Sequence, residues 1–153
     1  MSLQEEVELL RRIPLFAKIE AAKLKLLAFT SERLTYQAGD LLFEQGAVGD
    51  SAYVIIAGSA EVLMDAPGGA ITVATIDQHQ IVGEIAILCD VPRTATVRAV
   101  SDLIALRVSK DHFFRLIEEF PQMAVEIMRE LAHRLEATTS RLREAMLAAQ
   151  NDG

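Results

Sequence analysis

Cysteine, basic charge and long apolar runs are scarce in this sequence. Its single cysteine, Cys89, cannot form a disulfide within the chain, which favours a reducing, cytoplasmic compartment. No apolar run approaches the roughly 18 residues of a membrane-spanning helix. The first ten residues carry Glu5, Glu6 and Glu8 and lack the basic region of a secretory signal. Neither a membrane anchor nor a secretory signal is therefore predicted.

The charge balance is acidic and argues against two classes of partner. The chain has 15 Lys and Arg against 22 Asp and Glu, a net charge of −7. A protein that binds duplex DNA usually carries a basic surface, and an anionic membrane attracts polybasic segments. Nucleic acid and membrane are therefore not expected partners. With 51% apolar and 24% charged residues, the 153 residues suit one packed domain spanning 1–153.

Three zones follow one another along the chain. Residues 3–31 show helical spacing of leucine and valine, broken at the corner around Pro14. Residues 32–108 hold short β-rich stretches between glycine and aspartate turns, and this pattern is typical of a sandwich or a barrel. The predicted strands are 41–43, 53–56, 61–64, 71–76, 94–100 and 103–108. Residues 109–150 are again helical, with Ser109 as the predicted N-cap.

The last helix, from Gln122 to about Gln150, has a heptad pattern of small and apolar residues. Their spacing alternates four and three, and they are Ala124, Met128, Leu131, Leu135, Thr138, Leu142, Ala145 and Ala149. Such a seam fits a helix that pairs with a partner chain, and it also fits a helix that packs on its own domain. Both interpretations stay open.

The segment 81–97 is the one that carries chemistry. Gly83 precedes a short apolar helix, where backbone amides can approach a ligand closely and attract an anion. The carboxylate of Glu84 could accept a hydrogen bond from a ligand hydroxyl, and the guanidinium of Arg93 can fork onto a phosphate. The alternative is that Glu84 and Arg93 simply pair with each other across a loop.

This segment, G-E-I-A-I-L-C-D-V-P-R-T-A-T-V from Gly83, resembles the phosphate-binding cassette of the cyclic-nucleotide-binding domain family. Upstream segments are also similar to that family, and they include Pro14–Phe16, Gly39–Gly46, Gly49-Asp50, Tyr53–Ile55 and Gly58. The resemblance implies an α+β, mainly β fold. It would be an eight-stranded jelly-roll-like β-barrel flanked by N-terminal helices and a long C-terminal helix, with no DNA-binding domain in the chain.

The resemblance also implies a role for each matching residue. Gly83 and Glu84 would meet the ribose 2′-hydroxyl, and the amides of Ile85 and Ala86 would bind the cyclic phosphate. Arg93 would neutralise the phosphate charge. Thr94 and Ala95 would add a hydroxyl and an amide donor. Val62 and Val73 would contact the base and sugar, although the two valines could equally be ordinary core residues.

The nucleotide base is specified less clearly. Thr94 resembles cGMP-responsive family members, but bacterial cAMP receptors also carry Ser or Thr there. Thr138 and Thr139 align with an adjacent pair that contacts adenine in the catabolite activator, one of them across the dimer. Alternatively, the two threonines only face a neighbour, and Arg134 or Arg141 caps the base by stacking. We favour cAMP over cGMP.

One departure from the family pattern concerns His79, which stands where a glycine is usual. Histidine tolerates a left-handed backbone better than most residues, so a turn is still expected there. His79, His112 and His133 are far apart and lack carboxylate or cysteine company at ligand spacing, so no metal is expected. Cys89 is interpreted as a filler of the loop, not a nucleophile.

The predicted function is a ligand-dependent regulatory sensor and not an enzyme. It needs no cofactor beyond the cyclic nucleotide, and ligand affinity for the closed state would move the C-terminal helix. A homodimer through that helix is one expected partner arrangement. The alternatives are a truncated or stand-alone member of the Crp-like transcription regulators and a degenerate domain that no longer binds nucleotide. A cupin-like metal enzyme is disfavoured because its clustered ligands are missing.

Overall fold

The structure is a computed structural model that describes residues 2–151. Two helices come first, α1 (Leu3–Arg11) and α2 (Ala21–Thr30), separated by a 3-10 turn at Pro14–Phe16. A mainly β zone follows, with α3 (Glu84–Cys89) inserted into it, and α4 (Lys110–Glu119) and α5 (Pro121–Asn151) end the chain. The strands are β1 (Glu32–Tyr36), β2 (Leu41–Phe43), β3 (Ser51–Ala57), β4 (Ala60–Met64), β5 (Ile71–Ile76), β6 (Ile81–Val82), β7 (Thr96–Ala99) and β8 (Leu103–Ser109).

The helix boundaries follow from local capping. The side chain of Ser2 accepts a hydrogen bond from the amide of Glu5 at the start of α1. Ser109 does the same for the amide of His112 at the start of α4, as predicted. Pro121 begins α5, where its missing N–H costs no helical hydrogen bond. Capping therefore fixes the helical segments on either side of the β zone.

The strands form two four-stranded antiparallel sheets, ordered β1-β8-β3-β6 and β2-β7-β4-β5. Strand β3 is buried on both faces because its alternate residues enter different cores. Ala52, Val54 and Ile56 pack with the helices, whereas Tyr53 and Ile55 join the apolar layer between the sheets. This arrangement packs the helices against the sheet that contains β3.

The predicted closed barrel is wrong. In the described part of the chain, no strand pairs with strands of both sheets, so β1, β6, β2 and β5 remain sheet edges. Strands β2 and β6 are only three and two residues long, too short to carry a ladder across the gap. The α+β class, the eight strands and the flanking helices are as predicted.

The long helix α5 packs on its own domain at its start, mostly through residues that lie beside the predicted heptad seam. Its first turns pack on the domain through Met123, Ile127 and Leu131. On the seam itself, Met128, Leu135 and Leu142 are exposed. Internal packing therefore accounts for the start of α5 but leaves an apolar stripe with no partner among residues 2–151.

The turn at His79 is confirmed. Its φ of 73° lies in the left-handed region, and its amide donates to the carbonyl of Ile55 at 2.7 Å. Over residues 2–151, no helix combines the length and the apolar character needed to cross a membrane.

Candidate ligand-binding site

A cavity of about 360 Å³ lies between the second sheet, α3 and α5. Its volume falls within the roughly 300–1,000 Å³ of small-molecule sites. All the predicted site residues except Thr139 line it, namely Val62, Val73, Gly83, Glu84, Ile85, Ala86, Arg93, Thr94, Ala95 and Thr138. The fold therefore brings segments from four parts of the sequence to one place. Thr139 is the next residue on α5 and is exposed.

Gly83 precedes α3 and sits against the guanidinium of Arg93. Its φ of 88° is in the left-handed region that favours glycine. A Cβ there would also lie 2.7 Å from Nη1 of Arg93 and 3.2 Å from the ring of Phe43. Backbone conformation and close approach thus both require glycine at the start of α3.

Arg93 is a buried cation held by neutral groups. Its side chain donates from Nη1 to the carbonyl of Gly83 at 2.7 Å and from Nη2 to the carbonyl of Ser51 at 2.8 Å. The residue is 4% exposed, and burial lowers the pKa of its guanidinium. No carboxylate pairs with it among the described residues, and its Nε is buried without a hydrogen-bond partner. The geometry leaves a positive charge free for an anion in the cavity.

Gly49 completes the packing around Arg93. Its φ does not lie in the left-handed region, so the local backbone would accept another residue. A Cβ at position 49 would, however, lie 2.3 Å from Cβ of Ala86 and 3.4 Å from Cζ of Arg93. Glycine is needed here because the loop before β3 touches α3 directly.

Glu84 is buried in the same wall and is 1% exposed. Its Oε1 accepts a hydrogen bond from Nη1 of Arg134 at 2.9 Å, whereas its Oε2 is buried without a partner. Burial raises the pKa of the Glu84 carboxyl, and the charge of Arg134 opposes that rise. The alternative pairing of Glu84 with Arg93 is therefore not the one observed. One carboxylate oxygen remains available to accept from a ligand.

Helix α5 lies along one side of the cavity and contacts the rest of the domain through two arginines, Arg134 and Arg141, which are seven residues apart. Arg134 also donates to the carbonyl of Ile81 and to Glu130, the latter at 2.8 Å. Arg141 donates to the carbonyl of Val73 on β5 at 2.9 Å. Both guanidiniums are thus engaged with the protein in this conformation instead of lying free to stack on a base.

Several lining residues were not among the predicted site residues. Met64 shares a strand face with Val62, so β alternation could have found it. Ile76 and Val82 look like any core residue in the sequence. Phe43 and Arg134 reach the cavity from distant segments, and no local pattern marks the side chains that they meet. Tertiary structure alone identifies Phe43, whereas the sequence had offered Arg134 only as a residue that stacks on the base.

Residues 33–120 match the family model described as cyclic nucleotide-binding domain. Because the match spans more than half of the chain, the chain belongs to the cyclic nucleotide-binding domain family. This confirms the resemblance drawn from the cassette. The family is a ligand-binding regulatory domain and not a catalytic one.

The chain is similar to regulatory proteins of two kinds. It is 35% identical over 109 residues to a cAMP-dependent protein kinase regulatory subunit of Blastocladiella emersonii, covering 71% of this chain and 27% of the relative. It is 27% identical over 136 residues to a CRP-like cAMP-activated global transcriptional regulator of Mycobacterium tuberculosis, covering 88% and 61%. The solved catabolite activator protein of Thermus thermophilus superposes with a TM-score of 0.73 at 27% identity, covering 85% and 62%. The chain thus spans between about a quarter and three fifths of the length of these relatives.

Proposed function

We propose that this protein binds a cyclic nucleotide in the α3 cavity, prefers cAMP to cGMP, and acts in the cytoplasm as a ligand-dependent regulatory sensor, not as an enzyme. The observation that carries the proposal is that one cavity contains two buried polar groups whose hydrogen-bonding capacity is not satisfied by the protein. Over residues 2–151, Arg93 presents a buried positive charge with no carboxylate partner, and Oε2 of Glu84 is a buried acceptor with no donor. A cyclic nucleotide supplies one negative phosphate and one ribose hydroxyl.

We assign each part of the ligand to a part of the cavity on the basis of the groups that line it. The cyclic phosphate would meet Arg93 and the amides of Ile85 and Ala86, with Thr94 and Ala95 beside them. The ribose 2′-hydroxyl would donate to Glu84 beside Gly83. The base and sugar would lie along Val62 and Val73, under Thr138 on α5.

The preference for cAMP is supported by the relatives. Both the kinase regulatory subunit and the transcriptional regulator are described by their response to cAMP. Thr94 is compatible with either base. Calorimetry with both nucleotides decides between them.

The regulatory element is α5. It already reaches Glu84 and Ile81 through Arg134, so a ligand at Glu84 changes the contacts of the helix directly. A ligand with different affinity for the docked and undocked positions of α5 shifts their populations, and no other effect of binding can move the helix. We propose that residues 1–153 form this one sensor domain and that a second copy pairs along the exposed stripe of α5.

The test is calorimetric titration with cAMP and cGMP of the parent protein, Arg93→Ala and Arg98→Ala. Arg98 lies on β7 outside the cavity and pairs with Glu61, so it is the matched control. We expect the parent to bind at least one nucleotide, Arg98→Ala to keep that affinity, and Arg93→Ala to lose on the order of 2–5 kcal/mol of binding free energy. Thermal unfolding of each variant separates lost binding from lost folding. If neither nucleotide gives heat or raises the melting temperature of the parent, the domain is degenerate and the proposal fails.

A further inference from the structure

Phe43, at the end of β2, faces the guanidinium of Arg93. Cζ of Arg93 lies 4.1 Å from the centre of the Phe43 ring, within the range of a cation–π contact. Tyr53 on β3 lies farther away, with its ring centre 6.0 Å from Cζ. The two rings are 5.8 Å apart and tilted by 34°. An aromatic pair therefore covers one face of the buried cation.

The other sides of the guanidinium are closed by backbone. Gly49 and Gly83 approach so closely that a Cβ at either position would contact Cζ or Nη1 of Arg93. Two of its five N–H groups donate to the carbonyls of Gly83 and Ser51. The Phe43 ring, the two glycines and the two carbonyls therefore restrict the guanidinium from different parts of the chain.

An aromatic ring suits this position better than a carboxylate would. Its negative face stabilises a cation in a desolvated site, and the contact leaves the full positive charge available. A carboxylate at the same place would neutralise Arg93 and compete with an anionic ligand. Fixing the donor geometry before binding lowers the ordering cost when the ligand arrives.

We propose that Phe43 is a positioning residue, whose ring holds the guanidinium of Arg93 in the plane in which its free N–H groups meet the cyclic phosphate. The Tyr53 ring supports Phe43 from β3. This inference rests on the proposed function for its ligand. The orientation of Arg93 by the ring is a property of the ligand-free protein and can be tested alone.

The first test compares nucleotide affinity in Phe43→Tyr, Phe43→Leu and the control Phe114→Leu. Phe114 is a partly buried aromatic residue of α4 that does not line the cavity. We expect Phe43→Leu to bind about tenfold more weakly and Phe43→Tyr, which keeps the ring, to stay within about twofold of the parent. Phe114→Leu should bind like the parent. The inference is overturned if Phe43→Leu keeps the parent affinity, or if the tyrosine variant is as weak as the leucine variant.

The second test needs no nucleotide. Nitrogen NMR detects the Nε–H of Arg93, assigned by the signal that disappears in Arg93→Lys. In the parent and in Phe43→Tyr we expect slow exchange of this proton with water. In Phe43→Leu we expect exchange at least about tenfold faster. Losing a desolvated cation–π contact shifts, by that order, the equilibrium between the buried and the solvent-accessible positions of the Arg93 side chain. Equal exchange in all three proteins overturns the positioning role. If the parent binds neither nucleotide, the proposed function fails, whereas this comparison still decides what the ring does.

Discussion

At the scale of single residues, the site contains two buried charges that are stabilised differently. Arg93 is held by two backbone carbonyls and an aromatic ring, whereas Glu84 is held by the opposite charge of Arg134. Burial disfavours both charged forms, which lowers the pKa of Arg93 and raises that of Glu84. Arginine stays protonated in proteins in spite of such a shift. The titration of Glu84 therefore controls how the site responds to pH.

Nucleotide affinity should fall on acidification as Glu84 takes up a proton. A ribose hydroxyl donates to the ionised carboxylate, so binding favours that form, and affinity rises with pH through the pKa of the free protein. Because that pKa is raised above 4.5, the loss begins at a higher pH than an ordinary glutamate would give. Calorimetry from about pH 4 to 7 with cAMP and 2′-deoxy-cAMP measures it.

Glu84→Gln is the control for this prediction. It should bind cAMP more weakly at neutral pH and lose the acid-dependent decrease, and 2′-deoxy-cAMP should show little of that decrease in the parent. The protonation of Glu84 does not itself unfold the protein, so it cannot lower the nucleotide affinity by that route. A raised pKa in the folded state means that protonating this group stabilises the fold as the pH falls towards 4.5. An acid decrease that survives in Glu84→Gln would contradict the assignment.

At the scale of elements, α5 is attached to the cavity by polar contacts more than by burial. From Ala132 to Gln150 all residues are exposed except Arg134, whose side chain is about three quarters buried, at 26% exposure. The contacts of Arg134 with Glu84 and Ile81, together with that of Arg141 with Val73, hold this stretch of the helix against α3, β6 and β5. The position of this stretch of α5 is thus set by a few hydrogen bonds.

Arg134→Ala should release this stretch of α5. The change removes a partly buried ion pair and leaves Glu84 buried without a counter-ion, at a cost of about 2 kcal/mol, after allowance for the exposure of Arg134. Hydrogen exchange should become faster over residues 130–141 and cAMP affinity should fall. Arg129→Ala is the control, because Arg129 pairs with Glu126 of the same helix and does not line the α3 cavity. Unchanged exchange over residues 130–141 would show that Arg134 does not hold the helix.

Local patterns in the sequence predicted most of the elements because capping, alternation and turn residues act over short distances, but they did not single out β1 or the two-residue strand β6. Strands 41–43 and 71–76 match the structure, and α5 differs from its prediction by one residue at each end. Barrel closure could not be predicted in this way, since it depends on which distant strand edges meet. The pairing of Glu84 with Arg134 is of the same kind, because fifty residues separate the two. The resemblance to the family indicated the candidate site residues, whereas their contacts, such as that of Glu84 with Arg134, depend on tertiary packing.

At the scale of the whole molecule, the exposed apolar stripe of α5 is what a single copy leaves unexplained. Met128, Leu135 and Leu142 are each more than half exposed and spaced by seven residues. That repeat is the pattern of a helix that pairs along its length. Two copies joined there would bring their cavities near a common axis, because Arg134 and Thr138 lie on the same stretch of helix.

The double variant Leu135→Glu, Leu142→Glu should convert a dimer into a monomer. Opposing carboxylates along a pairing seam repel each other, and neither leucine contributes to the core of a single copy. Sedimentation equilibrium measures the mass, and thermal unfolding checks the fold. Leu26→Glu is the control, because Leu26 is a similarly exposed leucine on α2. A parent protein that is already monomeric at high concentration would contradict the prediction.

Gly49 restricts how this protein can change over generations. Its own backbone would accept alanine, so nothing near it in the chain selects against that substitution. The obstacle is the methyl group of Ala86, in a different element. A lineage could therefore accept alanine at position 49 only after glycine had arisen at position 86, and the reverse order would pass through a protein with a disrupted site. The shape of the cavity thus depends partly on Gly49, which does not line the cavity but contacts two residues that do, Ala86 and Arg93.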